Sequence, residues 1–383
     1  MKKEIAMFKE RVEIIRKGDP SGNGMIFKLI TPGGIEIFGL GTKNNYGGEW
    51  DLGATWNYLV LTEEPFLVDT GRTGTCDALL EMIETTGFPI QSLKTIVLSH
   101  GHEDHDGGLP QLVEKTGARV LAHPIYEKLI RLMPENVPEG INKNFPPSCW
   151  HCPMPVSFVD ENCAEYHKNR HALTIENINE FDHPLGEGIK ILHLPGHSPD
   201  GIGIVINPDI VLVGDNVLPH ISPMPSKNES FHLLADVLPV DDREVQKAFG
   251  LTAYLRSLKK LIELGGEQPD ILALPGHRFY YYDQWNDFDL KTRAQEIVIH
   301  HIERCGDILD IVSQEPKTVK AIMTAHFDPS LLKGTGAGMA KNEIQSHLEL
   351  LIDSSDITPV DDQQFLSTGK GCFESYIQAL EPW

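Results

Sequence analysis

The sequence predicts an α/β protein with a helical C-terminal region, and three observations carry that reading. Short apolar, β-prone runs alternate with amphipathic helical stretches over the first part of the chain. Residues able to bind metal fall at the ends of those runs. From Thr292 onward the pattern turns helical.

The opening β-rich runs are Val12 to Ile15, Met25 to Ile30, Ile35 to Leu40, Trp56 to Thr62 and Pro65 to Asp69. Cys76 to Thr86 follows as a helix, with Leu79, Leu80 and Ile83 on one face. Lys94 to Leu98 reads as a short buried strand, and Gly107-Gly108 opens an amphipathic helix through Leu109, Leu112 and Val113. Between them lies Ser99-His100-Gly101-His102-Glu103-Asp104-His105-Asp106. Neutral imidazole nitrogens and carboxylate oxygens are what borderline divalent metals bind, so His100, His102, Asp104 and His105 predict a metal-binding loop. A two-metal site needs more ligands than one loop supplies. Leu192 to His197 (LHLPGH), Val211 to Asp215 (VLVGD) and Ile271 to His277 (ILALPGH) each end an apolar strand in one such residue, at a turn set by Gly.

Residues 134 to 183 interrupt the alternation with Pro134, Pro138, Pro146, Pro147, Pro153 and Pro155, and read as a long insert acting as a substrate lid. Within it Cys149, Cys152, Cys163 and His167 have zinc-knuckle-like spacing. A thiol cluster is the favoured reading and a structural metal the alternative. A second insert spans residues 218 to 240. Asp241 to Leu264 then predicts a helix capped by Asp241 or Asp242. The run Arg278-Phe-Tyr-Tyr-Tyr-Asp-Gln-Trp285 either walls a pocket, with Arg278 facing an anionic group, or packs internally. Helices at Ala294 to Ser313, Val319 to Thr324 and Asn342 to Ile352 precede a β-prone tail, Ile357 to Phe365.

With these ligand-type residues in this order, residues 25 to 280 resemble the metallo-β-lactamase superfamily, whose signature is a His-x-His-x-Asp-His loop followed by His, Asp and His on later strands. The resemblance implies an αββα sandwich and two divalent metal ions, zinc first, with iron or manganese as alternatives. It implies His100, His102 and His197 at one metal, Asp104, His105 and His277 at the other, and Asp215 bridging them. Asp69 matches a supporting carboxylate, while as a residue alone it reads equally as a turn cap. Two metals sharing a hydroxide lower the pKa of bound water to about 7, and Asp104 and Asp215 are the implied catalytic carboxylates. Diiron oxygen-reducing members carry Glu where this chain has His102, which favours hydrolysis; mononuclear persulfide oxygenases share the His loop. The C-terminal order of helices and hairpin resembles the winged-helix module of some members. Expected domains are therefore 1–290, catalytic, and 291–383, winged-helix-like.

Composition narrows the partners. The 383 residues carry 33 Lys and Arg against 55 Asp and Glu, a formal net charge of −22, which repels a polyanion at long range. Residues 290 to 383 are themselves acidic, with 8 basic against 14 acidic side chains. That opposes DNA contact and favours packing against the catalytic domain or pairing of subunits into a homo-oligomer. A small-molecule substrate is expected, a thioester or other ester. A ribonuclease is the runner-up, and its groove would draw on Arg256, Lys259, Lys260, Arg278, Lys291 and Arg293. A non-enzymatic metal sensor or scaffold is the third reading. No apolar run suits a signal peptide or membrane span, and six unevenly spaced cysteines make no disulfide framework, so a cytoplasmic location is expected.

Overall fold

The computed structural model describes residues 11–44, 51–131, 165–181, 185–226, 231, 235, 238, 244–361 and 363–383. Two sheets face each other. The first has eight strands in chain order: β1 (Val12–Arg16), β2 (Ile26–Ile30), β3 (Glu36–Thr42), β4 (Thr55–Leu61), β5 (Phe66–Val68), β6 (Thr95–Val97), β7 (Arg119–Ala122) and β8 (Ile175–Asn177). Its first half is an antiparallel meander, and β5 to β8 run parallel. The second sheet has the order β12 (Leu272–Pro275), β11 (Ile210–Gly214), β10 (Ile202–Ile206), β9 (Ile189–His193), with only β11 and β12 parallel.

Period-two alternation explains the layering. In β2 to β4, Phe27, Leu29, Ile37, Trp56, Tyr58 and Val60 point between the sheets and meet Ile191, Ile202, Ile204 and Leu212. Ile26, Phe38, Leu40 and Leu59 point the other way, under α1 (Cys76–Thr85), α3 (Leu109–Thr116) and α4 (Pro124–Arg131). The outer face of the second sheet, Val205, Val211, Val213 and Ala273, is covered by α6 (Gly250–Glu267). The fold is the expected αββα sandwich. Its apolar layer on the α6 side runs on without a break into α7 (Leu290–Ile311) and α9 (Thr335–Asp353).

Two expectations are corrected. The helix from Asp241 to Leu264 is two helices, α5 (Val245–Ala248) and α6, broken at extended, buried Phe249, with Gly250 at φ +81° and α6 continuing to Glu267. Asp241 and Asp242 lie outside the described residues. The metal loop is partly helical, with α2 spanning Glu103–Asp106. After α7 come β15 (Lys317–Thr318), α8 (Val319–His326), α9, β16 (Ile357–Pro359), β17 (Gln364–Ser367) and α10 (Phe373–Ala379), the three strands pairing as β15-β17-β16. The earlier hairpin of β13 (Tyr280–Tyr281) and β14 (Gln284–Trp285) packs inward: Phe279 and Trp285 join Phe27 and Trp56 in one aromatic cluster. Arg278 donates to Asp51 O and covers the Tyr281 ring, so this run serves packing. No described helix is long and apolar enough to cross a membrane.

Candidate metal centre

Each predicted ligand sits just past the C-terminal end of a strand, where α/β folds gather their functional groups. β6 leads into His100, His102, Asp104 and His105; β9 leads into His197, β11 into Asp215 and β12 into His277. The structure brings all seven together. His100, His102 and His197 form one group, Asp104, His105 and His277 a second, and His100, His105 and Asp215 a third, the ligand atoms of each lying within 4.8 Å of one another. The Asp215 carboxylate reaches both sides, 3.6 Å from His197 Nε2 and 3.3 Å from His277 Nε2. Asp104 Oδ2 is 3.1 Å from His277 Nε2, and the Nε2 atoms of His105 and His277 are 3.3 Å apart.

The imidazoles are oriented from behind. His105 Nδ1 donates to Asp69 Oδ2 at 2.8 Å, His197 Nδ1 to Met224 O at 2.8 Å and His277 Nδ1 to Ala54 O at 3.2 Å; His100 Nδ1 is 2.9 Å from Ser99 Oγ. Spending Nδ1 outward leaves the Nε2 lone pair inward, which is how metal-binding histidines are held. Asp69 is more than a turn cap: it also accepts from Ser99 N and Oγ. His100 Nε2 is buried with no hydrogen-bond partner, a cost of about 1–3 kcal/mol that a ligand role removes. The donors are nitrogen and carboxylate oxygen throughout, a set that fits borderline divalent metals.

Charge agrees with that fit. Burial, and then the imidazoles of His105 and His102, push His100 well below its ordinary pKa. Burial lowers His197 too. At His105 burial opposes protonation but Asp215, Asp104 and Asp69 outweigh it, and at His277 the carboxylates, led by Asp215, raise the value to about 9. Burial would raise Asp215, yet His277 and His105 hold it well below the usual range. The carboxylates of Asp215, Asp104 and Asp69 thus favour positive charge at the centre of the site.

Glycine lets the strand ends approach. A methyl at Gly276 would overlap Asp215 Oδ1 and lie 3.0 Å from His105 Cε1. At Gly196, φ +126°, it would overlap the backbone of Tyr254. The Pro-Gly-His turns are therefore steric requirements.

Sequence reasoning missed two partners. Asn44, 2% exposed at the end of β3, donates from Nδ2 to Asp104 Oδ2 at 2.9 Å. Asp106 is fully buried and receives Arg170 at 2.7 Å, Tyr126 OH at 2.9 Å and the Tyr166 hydroxyl. Arg170 belongs to helical residues 165–171, so this end of the expected insert braces the metal loop; residues 134–164 and 182–183 of that insert lie outside the described residues. Of the cysteine cluster, Cys149, Cys152 and Cys163 lie outside the described residues. A further trio is His301, Glu343 and His347: His301 Nδ1 lies 3.0 Å from His347 Nε2, His347 Nδ1 donates to Glu343 O at 2.6 Å and Arg304 pairs with the Glu343 carboxylate, while His301 Nε2 is buried with no hydrogen-bond partner.

A family model described as the metallo-beta-lactamase superfamily matches residues 50–277. Ribonuclease J 1 of Streptococcus pyogenes is 30% identical over 113 residues, 27% of this chain and 18% of that protein. The atrochrysone carboxyl ACP thioesterase dmxR1 of Cryptosporiopsis is 28% identical over 176 residues, 45% of this chain and 41% of that protein. The chain thus spans less than half the length of either relative. A beta-lactamase domain protein from Burkholderia ambifaria has the same fold, with a TM-score of 0.64 at 18% identity over 94% of this chain and all of that one.

Proposed function

The chain belongs to the metallo-beta-lactamase superfamily, and from that premise we propose that it hydrolyses a small acyl substrate, a thioester or other ester, at a two-metal centre. His100, His102 and His197 would hold one metal, Asp104, His105 and His277 the other, and Asp215 would serve both. The observation that supports this most is the set of imidazoles tied outward at Nδ1 with Nε2 turned to a common centre. Zinc is the first choice, with iron and manganese suited to the same donors. When bound, such a pair supplies an activated water and a Lewis acid for the acyl oxygen.

The chain's own residues do the rest. Asn44 donates to Asp104, whose carboxylate would orient the attacking water. Asp69 holds His105 and, through Ser99, the turn of His100, so the site is assembled before substrate arrives. Residues 291–383 form a module packed on α6.

Charge favours the acyl substrate over a nucleic acid. The net charge is −22, and five of the six basic residues available for a groove are engaged within the chain. Arg256 binds Glu381 O, Lys259 the carbonyls of Ile377, Gln378 and Leu380, Lys260 Glu180, Arg278 Asp51 O, and Arg293 Leu218 O and Ile221 O. The thioesterase match also covers more of the chain than the ribonuclease match.

Turnover of acyl-CoA thioesters and activated esters, set beside labelled RNA with zinc or manganese added, tests the reading. Thioester hydrolysis with two metal equivalents bound is expected. RNA cleavage faster than every thioester would establish the phosphodiesterase reading, and fewer than two metals with no esterase activity a scaffold.

A further inference from the structure

Two of the turns that carry ligands lean on one helix. The Tyr254 hydroxyl, on α6, donates to Asn216 O at 2.7 Å, one residue past Asp215. One turn further along α6, Ser257 Oγ donates to Pro195 O at 2.6 Å, two residues before His197. Gly196 lies so close that no methyl fits between it and the Tyr254 backbone. Tyr254 and Ser257 are both fully buried.

The C-terminal region in turn grips α6. Trp383 Nε1 donates to Ala253 O at 3.2 Å and to Ser257 Oγ at 3.1 Å, and Arg256 lies 3.8 Å over its ring. Lys259 collects the last carbonyls of α10 and the chain beyond it, Ile377, Gln378 and Leu380. The His301 ring of α7 meets Tyr254 edge-on at 5.7 Å. Apolar side chains of α7 and α9 close the same cluster around Leu255, Leu258 and Leu261.

We propose that α6 is a backrest through which the C-terminal helices position the metal ligands, with Tyr254 setting Asp215 and Ser257 setting His197. This rests on the two-metal reading above, and assigns the acidic C-terminal module a task that needs no partner. A hydrogen bond made directly to a metal ligand is worth about 10- to 100-fold in metal affinity, and these two bonds, which reach the ligands through one or two backbone residues, are worth less. The two hydroxyls act on different ligands, so their loss has different signatures. Asp215 would be shared by both metals and His197 would serve one.

Stepwise zinc uptake by the full chain, measured by chelator competition, reads that difference. Tyr254→Phe and Ser257→Ala each remove one hydroxyl, and far-ultraviolet circular dichroism with thermal unfolding of the metal-free forms reports whether the fold is intact. The expected result is that Tyr254→Phe weakens both zinc steps, by up to about 10-fold, and Ser257→Ala weakens one. Wild-type affinities in both variants, or equal weakening of both steps in both, would overturn the proposal. Because zinc uptake is read without substrate, a wild-type chain that binds two zinc ions yet turns over no acyl substrate removes the hydrolase reading and leaves the backrest standing.

Discussion

Gly276 precedes its ligand in a space too small for any other residue. Its nearest neighbours are the Asp215 carboxylate and the His105 ring, so an added methyl must push one of them aside. Gly276→Ala is therefore expected to cut kcat by about 100-fold or more, since a displacement of about 1 Å at a catalytic group has that effect. Zinc stoichiometry should fall with it while circular dichroism stays unchanged; an active variant with two metals would show that the turn yields. At this scale the seven residues that gather at the candidate site were legible because a strand, a Gly turn and a ligand-type residue recur three times after one dense loop. Asn44 was not. It stands 60 residues before Asp104 in no motif, and only the register of β3 against β4 carries it to the site.

The segment over 165–171 teaches a different lesson at the scale of elements. Proline-rich composition marks an insert but says nothing of which residues at its ends turn inward. Arg170 is fully buried against fully buried Asp106, and its guanidinium also reaches Gly101 O at 3.3 Å. Removing one partner of such a pair strands the other charge away from water, at a cost of about 3–5 kcal/mol. Arg170→Met should lower the denaturant midpoint accordingly, and Arg170→Met with Asp106→Leu should recover much of the loss. Additive losses in that cycle would mean that the two charges do not depend on each other. The break at Phe249 was illegible for a related reason. Apolar spacing runs through the residue unchanged, and what ends α5 is the burial of that ring beside Leu238 and Ala248 together with a left-handed glycine.

At the scale of the molecule the sandwich was readable because strand alternation and helix spacing state which face of each element is buried. One contact between the two halves was not readable, since it pairs histidines distant in the sequence. His123 follows β7 of the first sheet and His193 ends β9 of the second; their rings stack at 3.8 Å between centroids, 11° from parallel. His123 Nδ1 accepts from Ile125 N, which only a neutral ring can do, and His193 Nε2 is bonded to Pro199 O at 3.0 Å. Burial, with His193 beside it, pushes His123 well below its ordinary pKa, and burial takes His193 to about 4. The folded values lie below the unfolded ones, so the stacked pair is at full strength above about pH 6.5. As the pH falls below that, the unfolded chain binds protons that the folded chain refuses, and stability drops with a slope of about 1.4 kcal/mol per unit for each such group. Between pH 7.5 and 5.5, His123 alone should cost about 1.4 kcal/mol, and half-buried His193 somewhat less. Urea unfolding of the metal-free chain at the two pH values, wild type beside His123→Gln, isolates this contribution because every other titrating group is common to both. The wild type should lose about 1.4 kcal/mol more than the variant on acidification. Parallel losses would mean that the pair takes up its protons without separating the sheets.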